Sequence, residues 1–425
     1  MLVSPRRYLP EKAFLRKLVT LASGTFVGQL LVIASAPLLT RLFTPEMFGY
    51  FAVFSAVTVI IATVICLRVE FAVPVIVGDD EAAAMVVGGT IIVTVMSLST
   101  IVLVVVAGPW FARLVDAEPI AGLLWLVPAA TWMWGIGSLL TYWSLRRGAY
   151  RVNGINRMLT LGTQAAGPIG LGLLGAGAPG LIIGHLLGHL TRVGHHLAHL
   201  SAADRRLVVA ALRPARIAQA LRMNWRFPAL TAPSSLVQTI CDMTPAIAIA
   251  ALYGPAAAGW YALGQRIMTI PLKLLGDAAS EVFLGEGRDL QPAALHHFFL
   301  RTLVFFTVLG ILVMLPILIF APAAFGFIFG EQWSISGFYV QLLVPLYFSR
   351  FVAHPISQIL NMIGRQDLQF IAALINIIAI TTSFGLGYYF SWPVEKTIIA
   401  FSILSAVSFI LAIFVSWQLT RGAAG

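Results

Sequence analysis

Basic and imidazole side chains recur inside apolar stretches of this sequence, at spacings that make them candidates for holding an anion. His185, His189, Arg192, His196 and His199 follow one another at intervals of 4, 3, 4 and 3 residues, which places them on one face of a helix. Such a stripe would line a cationic path suited to an anion, with imidazoles able to change charge near neutral pH. His196 and His199 suit the membrane–water boundary equally well. Asp242 lies 12 residues before Gly254, and Arg266 lies 12 residues after it. In a hairpin turning at Gly254-Pro255 the two reach similar depth, and an ion pair between them is expected. Asp242 is also a candidate site for H⁺ or Na⁺. Lys273 follows on the face of Arg266, either as a further cation or snorkelling to the inner surface. Arg350 and His354, four residues apart, form another cationic pair. A charge at the bilayer centre costs about 2.5–3.5 kcal/mol, so these groups should face one another or a wet cavity.

The elements that must position them follow from composition. Of 425 residues, 59% are hydrophobic and 10% charged, with a mean hydropathy of +0.91. Soluble domains carry about 25% charged residues, so a soluble enzyme, a disordered chain and a disulfide scaffold are excluded. Hydropathy predicts an all-α polytopic membrane protein with twelve spans, near 17–41, 48–69, 82–107, 119–144, 156–175, 179–200, 227–252, 256–280, 297–321, 334–359, 369–390 and 397–419. Gly and Pro punctuate the gaps. With the N-terminus inside, 22 of the 27 Lys and Arg fall on the inner side, two lie within helix eight, and three (Arg41, Arg113 and Lys396) stay outside. That asymmetry predicts cytoplasmic termini. It also explains the net charge of +10 without nucleic acid. Cys66 and Cys241 both fall in apolar runs and build no disulfide framework.

An internal repeat gives the domain plan. TPEMFGYFAVF at 44–54 aligns with GPAAAGWYALG at 254–264, an offset of 210 residues. Pro45 matches Pro255, Gly49 matches Gly259 and Ala52 matches Ala262. Six helices per half predict two lobes, 1–200 and 227–425, related by a parallel pseudo-two-fold repeat. The joining segment 201–226 is rich in arginine and apolar residues. It reads either as a basic amphipathic helix on the anionic inner leaflet, broken near Pro214, or as an ordinary basic linker.

SGTFVGQ at 23–29, APLLTRLFTPEMFGYFAVF at 36–54 and LRVEFAVPV at 67–75 resemble the polysaccharide and oligosaccharide flippases of the multidrug/oligosaccharidyl-lipid/polysaccharide (MOP) exporter superfamily. The motif residues are Arg41, Pro45, Glu46 and Gly49 in the first turn and Arg68 and Glu70 at the end of helix two. For Arg68 and Glu70 a local salt bridge is the expectation. The resemblance implies alternating access and a lipid-linked oligosaccharide substrate carried on undecaprenyl pyrophosphate at the bacterial inner membrane. It also implies glycosyltransferases and a polysaccharide polymerase as partners.

The chain has no GxxxxGK[ST] phosphate loop, so it does not drive transport with ATP itself. No outer loop exceeds about 15 residues, and no loop carries clustered carboxylates or a metal-spaced His/Cys set. A non-enzymatic flippase without cofactor is therefore expected, with Arg192, Arg266, Lys273 and Arg350 holding the pyrophosphate, supported by His185 and His189. A MATE-like drug or organic-cation antiporter is the alternative, and it would call for acidic groups where this chain places cations. A membrane-embedded glycan enzyme and an assembly scaffold are further readings.

Overall fold

The computed structural model describes residues 12–287, 292–357, 360 and 365–424, and side chains over 24–269, 294–357, 360, 365 and 367–421. Among them there is no strand. The helices are α1 (Lys12–Leu42), α2 (Pro45–Val64), α3 (Asp79–Leu114), α4 (Val127–Arg146), α5 (Tyr150–Leu173), α6 (Gly177–Ala198), α7 (Ala202–Ala210), α8 (Pro214–Met223), α9 (Ala232–Gly287), α10 (Pro292–Phe329), α11 (Ser334–Leu342), α12 (Val344–Ile356), α13 (Gln366–Tyr389) and α14 (Val394–Ala424).

Eight described helical stretches are long and apolar enough to cross a membrane, and the α11–α12 pair, bent by 56°, makes a ninth. One of the eight, 227–269, contains the α9 bend at Gly254, where φ is 85° and ψ is 170°. Glycine holds that left-handed backbone without a Cβ clash, so the stretch is a hairpin of two spans. Helices α5 and α6 have spanning length at 24 and 22 residues. Their Gly, Asn, Arg and His content lowers their hydropathy. Together these give the twelve spans of an all-α polytopic membrane protein.

Helix two ends earlier than the sequence suggested, at Val64 rather than 69. Leu67 and Arg68 take left-handed φ values of 50° and 60°, uncommon for residues with a Cβ. They end the helix and lead into a short 3₁₀ turn at Val69–Phe71. The start of α2 is conventional. Thr44 Oγ1 accepts the Met47 N–H at 3.4 Å, with Pro45 in the first helical position and Glu46 near the positive helix end.

The described residues divide into two compact units. The first takes those up to Leu42 with 61–109 and 121–233, and the second takes 43–60, 110–120 and those from Ser234 onward. The first unit has a core that includes Ile65, Val69, Met85, Val93, Leu139 and Trp143. Leu207 and Val208 of α7 and Ile217 and Leu221 of α8 pack against that core. The segment 201–226 is therefore two short helices, broken before Pro214 as expected. Their main apolar face lies on protein, because Leu207 and Val208, neighbours on α7, and Ile217 and Leu221, four apart on α8, close onto the same core.

One end of the first unit is tied by arginines. Arg146 donates to Asp79 at 2.8 Å and to the carbonyls of Val73, Ile76 and Val77. Arg147 bridges Asp79 at 2.7 Å and Asp204 at 2.6 Å, while Ser201 and Asp204 form the capping box of α7. Burial works against the Asp204 charge, but hydrogen bonds from Ser201 and Arg147 hold its carboxyl below the ordinary range.

In the second unit the two repeat copies touch reciprocally. A Cβ on Gly49 would overlap the Pro255 carbonyl, and one on Gly259 would overlap the Pro45 carbonyl. Exchanging the copies maps one contact onto the other, which is the local signature of a pseudo-two-fold repeat. The surrounding packing includes Phe48 edge-on to Trp333 with ring centres 4.9 Å apart. Trp260 Nε1 donates to the Gln332 carbonyl at 2.9 Å.

Candidate functional site

Helix α6 turns its polar stripe toward α4 within the first unit. Arg192 Nη2 donates to Thr141 Oγ1 at 3.0 Å, and the Thr141 hydroxyl donates to the Gly137 carbonyl at 2.7 Å. His196 Nε2 stands 3.2 Å from the same hydroxyl. The Arg192 chain crosses Gly137, with Cδ 3.0 Å and Nε 3.1 Å from where a Cβ there would lie. Asn156 of α5 donates to the Arg192 carbonyl at 2.9 Å. Among the described residues no carboxylate lies within ion-pair distance of Arg192; Arg157 and Glu70 act on it only through the wider field. A guanidinium held by a hydroxyl keeps its charge and most of its five donors for another acceptor.

About one turn from Arg192, His189 is buried against Trp134, with ring centres 5.0 Å apart, and against His185 at 5.2 Å. Its Nδ1 has no hydrogen-bond partner among the described residues. His199 is exposed and lies against His195, with ring centres 4.3 Å apart. The stripe therefore has an interior part, His185 to His196, and an outlying His199.

Arg68 and Glu70 form the expected local bridge at 3.6 Å, in the turn after α2 instead of on the helix. Glu70 is buried, and its Oε2 has no hydrogen-bond partner among the described residues. Burial pushes this carboxyl above the ordinary range, against the opposing pull of its own backbone N–H, Cys66 and Arg68. In the first repeat turn Pro45 and Gly49 are buried, while Arg41 and Glu46 are exposed.

The second unit corrects the expected ion pair. Asp242 pairs with Arg350 at 2.9 Å, not with Arg266. Equal depth in a hairpin does not give equal azimuth. Gln265 reaches Asp242, donating to its carbonyl at 3.2 Å, and Arg266 is rotated about 100° further round the helix. Arg350 is consequently part of a neutral pair and not of a cationic pair with His354. The Asp242–Arg350 bridge opens on a small recess shared with Tyr261, Gln265, Tyr347 and Asn376. The side chain of Lys273 lies outside the described residues.

Thr141, Gly137, Trp134 and Asn156 were not singled out in the sequence. Thr141 and Gly137 lie four residues apart, and Trp134 and Thr141 seven apart, so the helical period that picked out α6 would have found its partner face on α4.

A protein-family model described as "Polysaccharide biosynthesis protein" matches residues 38–336, well over half the chain. No curated protein matches the sequence. Among solved structures, an inward-facing multidrug resistance MATE family transporter of the MOP superfamily is 15% identical. The match covers 96% of this chain and 98% of that one, with a TM-score of 0.63. The lipid II flippase MurJ in an inward closed conformation is 12% identical over 95% of this chain and 87% of that one, with a TM-score of 0.72. A MOP superfamily transporter from Pyrococcus furiosus, whose binding pocket is described as having reverse polarity, is 15% identical over 96% of each chain, with a TM-score of 0.57. At such identities these likenesses show a shared fold. The protein is thus a multi-pass membrane protein with the MOP superfamily fold, and it belongs to the polysaccharide biosynthesis protein family.

Proposed function

We propose that this protein is a flippase that moves undecaprenyl-pyrophosphate-linked oligosaccharide units across the bacterial inner membrane for surface polysaccharide synthesis. It does so by alternating access, without chemical change to the cargo. Arg192 carries the reading. Its guanidinium sits in a spanning helix, held by the Thr141 hydroxyl at 3.0 Å and crossing Gly137, with no carboxylate to neutralise it among the described residues. A charge kept there at a cost of kilocalories is expected to serve an anion, and a pyrophosphate fits both the charge and the forked donor geometry. Arg266 and Lys273 are the further cations proposed to meet it, with His185 and His189 lining the same helix face as Arg192. Family membership in polysaccharide biosynthesis supports a glycan on the lipid. Glycosyltransferases would supply that cargo and a polymerase would take it over. The positive-inside asymmetry supports cytoplasmic termini.

H⁺ or Na⁺ coupling is proposed at Asp242. Its Oδ1 is engaged by Arg350 at 2.9 Å, so a coupling ion must open that bridge, with Asn376 and Gln265 near enough to the recess to accept a share of the exchange. The fold likeness to a multidrug transporter favours an organic-cation antiporter as the second reading. That reading needs an unneutralised acid in the spans, and Asp242 is paired.

The test is flipping of a fluorescent undecaprenyl-pyrophosphate oligosaccharide in proteoliposomes, with and without an imposed pH or Na⁺ gradient. Gradient-dependent appearance of the glycan at the outer face is expected. Absence of flipping by well-folded protein, together with export of an organic cation, would establish the second reading.

A further inference from the structure

The two helices between the halves carry a second face that neither the fold nor the proposed cargo uses. Leu207, Val208, Ile217 and Leu221 are occupied in the core of the first unit, so the remaining faces of α7 and α8 can be judged separately. On them and in the residues flanking α8 lie Arg205, Arg206, Arg213, Arg216, Arg222 and Arg226, all exposed. Between these arginines stand Val209, Leu212, Met223 and Trp225, at 65%, 61%, 66% and 56% exposure. The segment's single acid, Asp204, is buried and engaged by Ser201 and Arg147. Beyond it, among the described residues, Arg216 meets the exposed Asp80 at 4.0 Å. The outer face is therefore cationic and apolar at once, a combination poorly suited to water on both counts.

Its depth is fixed by α3. Ile217 and Leu221 of α8 pack at Gly88, their side chains 3.1 and 3.3 Å from where a Cβ there would lie. The exposed apolar stripe of α3 begins at Ile91, one turn further on, and continues through Val95, Leu98, Val102 and Val106. That stripe repeats at helical spacing along a 36-residue helix and is the surface that meets acyl chains. Helix α8 thus sits at the rim of the lipid-facing belt, where headgroups are, and Trp225 and Arg226 immediately precede the span that starts at Phe227. Exposed Trp at this depth is the usual interface anchor.

We propose that the α7–α8 face docks the headgroups of anionic phospholipids of the bilayer in which the protein sits. The arginines meet lipid phosphates, and Met223 and Trp225 enter the boundary between headgroups and acyl chains. The apolar residues distinguish this face from a site for a soluble anion, which would leave them in water. The inference does not depend on the proposed cargo.

Full-length protein reconstituted in vesicles of phosphatidylglycerol and phosphatidylcholine, or of phosphatidylcholine alone, would test it through hydrogen exchange of residues 202–226. Slower exchange in the anionic vesicles is expected, weakening as salt is raised from low ionic strength toward 1 M. Replacing Arg222 and Arg226 by Gln should lower the preference for phosphatidylglycerol by about fivefold per residue. The corresponding Lys variant, which keeps the charge, should retain most of it. Equal exchange in both vesicles would overturn the proposal. So would a Gln variant with unchanged lipid preference, or full protection by inorganic pyrophosphate in phosphatidylcholine alone.

Discussion

Each unit holds a half-buried arginine in a spanning helix, and the two are handled differently. Arg350 in the second unit is met by the Asp242 carboxylate at 2.9 Å, whereas Arg192 in the first is met by the Thr141 hydroxyl at 3.0 Å. A carboxylate cancels the charge and makes each partner dependent on the other. A hydroxyl orients the guanidinium and leaves the charge in place. The comparison teaches that counting basic residues in spans overstates a cationic site, because each must be read with its partner.

Breaking the neutral pair should have the largest effect. Arg350→Ala leaves Asp242 uncompensated, and about 2–4 kcal/mol of stability should be lost, read as thermal unfolding in detergent. The double variant Arg350→Gln with Asp242→Asn should recover most of it. A loss equal to the sum of the single effects would mean that the two residues act independently.

Arg192→Ala should behave in the opposite way. No partner charge is stranded, so unfolding temperature should change little, while flipping should fall by about 10–100-fold, the worth of one charged hydrogen-bonding group. A well-folded Arg192→Lys variant should recover only part of the rate, since an ammonium lacks the planar fork.

A smaller effect is expected at Gly137. Gly137→Ala adds a Cβ 3.0 Å from Arg192 Cδ, so the Arg192 chain must shift and strain its bond to Thr141 without any change of charge. Flipping should decline several-fold while folding is kept within about 1 kcal/mol. An unchanged rate would separate the position of Arg192 from its function.

The mildest is a pH effect outside the spans. The Asp204 carboxyl is held below its ordinary value by Ser201 and Arg147, against the effect of burial. Its contribution is present above the unfolded value near 3.9 and disappears as pH falls through the lower folded value. Asp204→Asn should lower stability by about 1 kcal/mol at neutral pH and flatten the acid limb of the unfolding curve below about pH 4. A parallel displacement of the whole curve would contradict this.

Much of this arrangement is legible in the sequence because it depends on period and count. Twelve spans, the bend at Gly254, the break before Pro214 and the matched turns at Pro45 and Pro255 all follow from hydropathy and from Gly and Pro. So does the common face of His185, His189, Arg192 and His196. What depends on azimuth between helices is not legible. Residue spacing from Gly254 gives Asp242 and Arg266 one depth, but the rotation that brings Arg350 to Asp242 arises only when three helices pack. Likewise the apolar residues of 201–226 are visible as a set, while their division between the core (Ile217, Leu221) and the exterior (Met223, Trp225) is set by where Gly88 lets α8 approach. The early end of α2 rests on left-handed backbone at Leu67 and Arg68, which nothing in those residue types announces.

The most direct measurement is binding of an undecaprenyl-pyrophosphate oligosaccharide to the reconstituted protein, with Arg192→Ala compared against the Arg350→Gln, Asp242→Asn double variant. The account predicts that Arg192→Ala weakens binding by about tenfold or more while the double variant binds as the wild type does. Equal affinity for wild type and Arg192→Ala, with both properly folded, would contradict it.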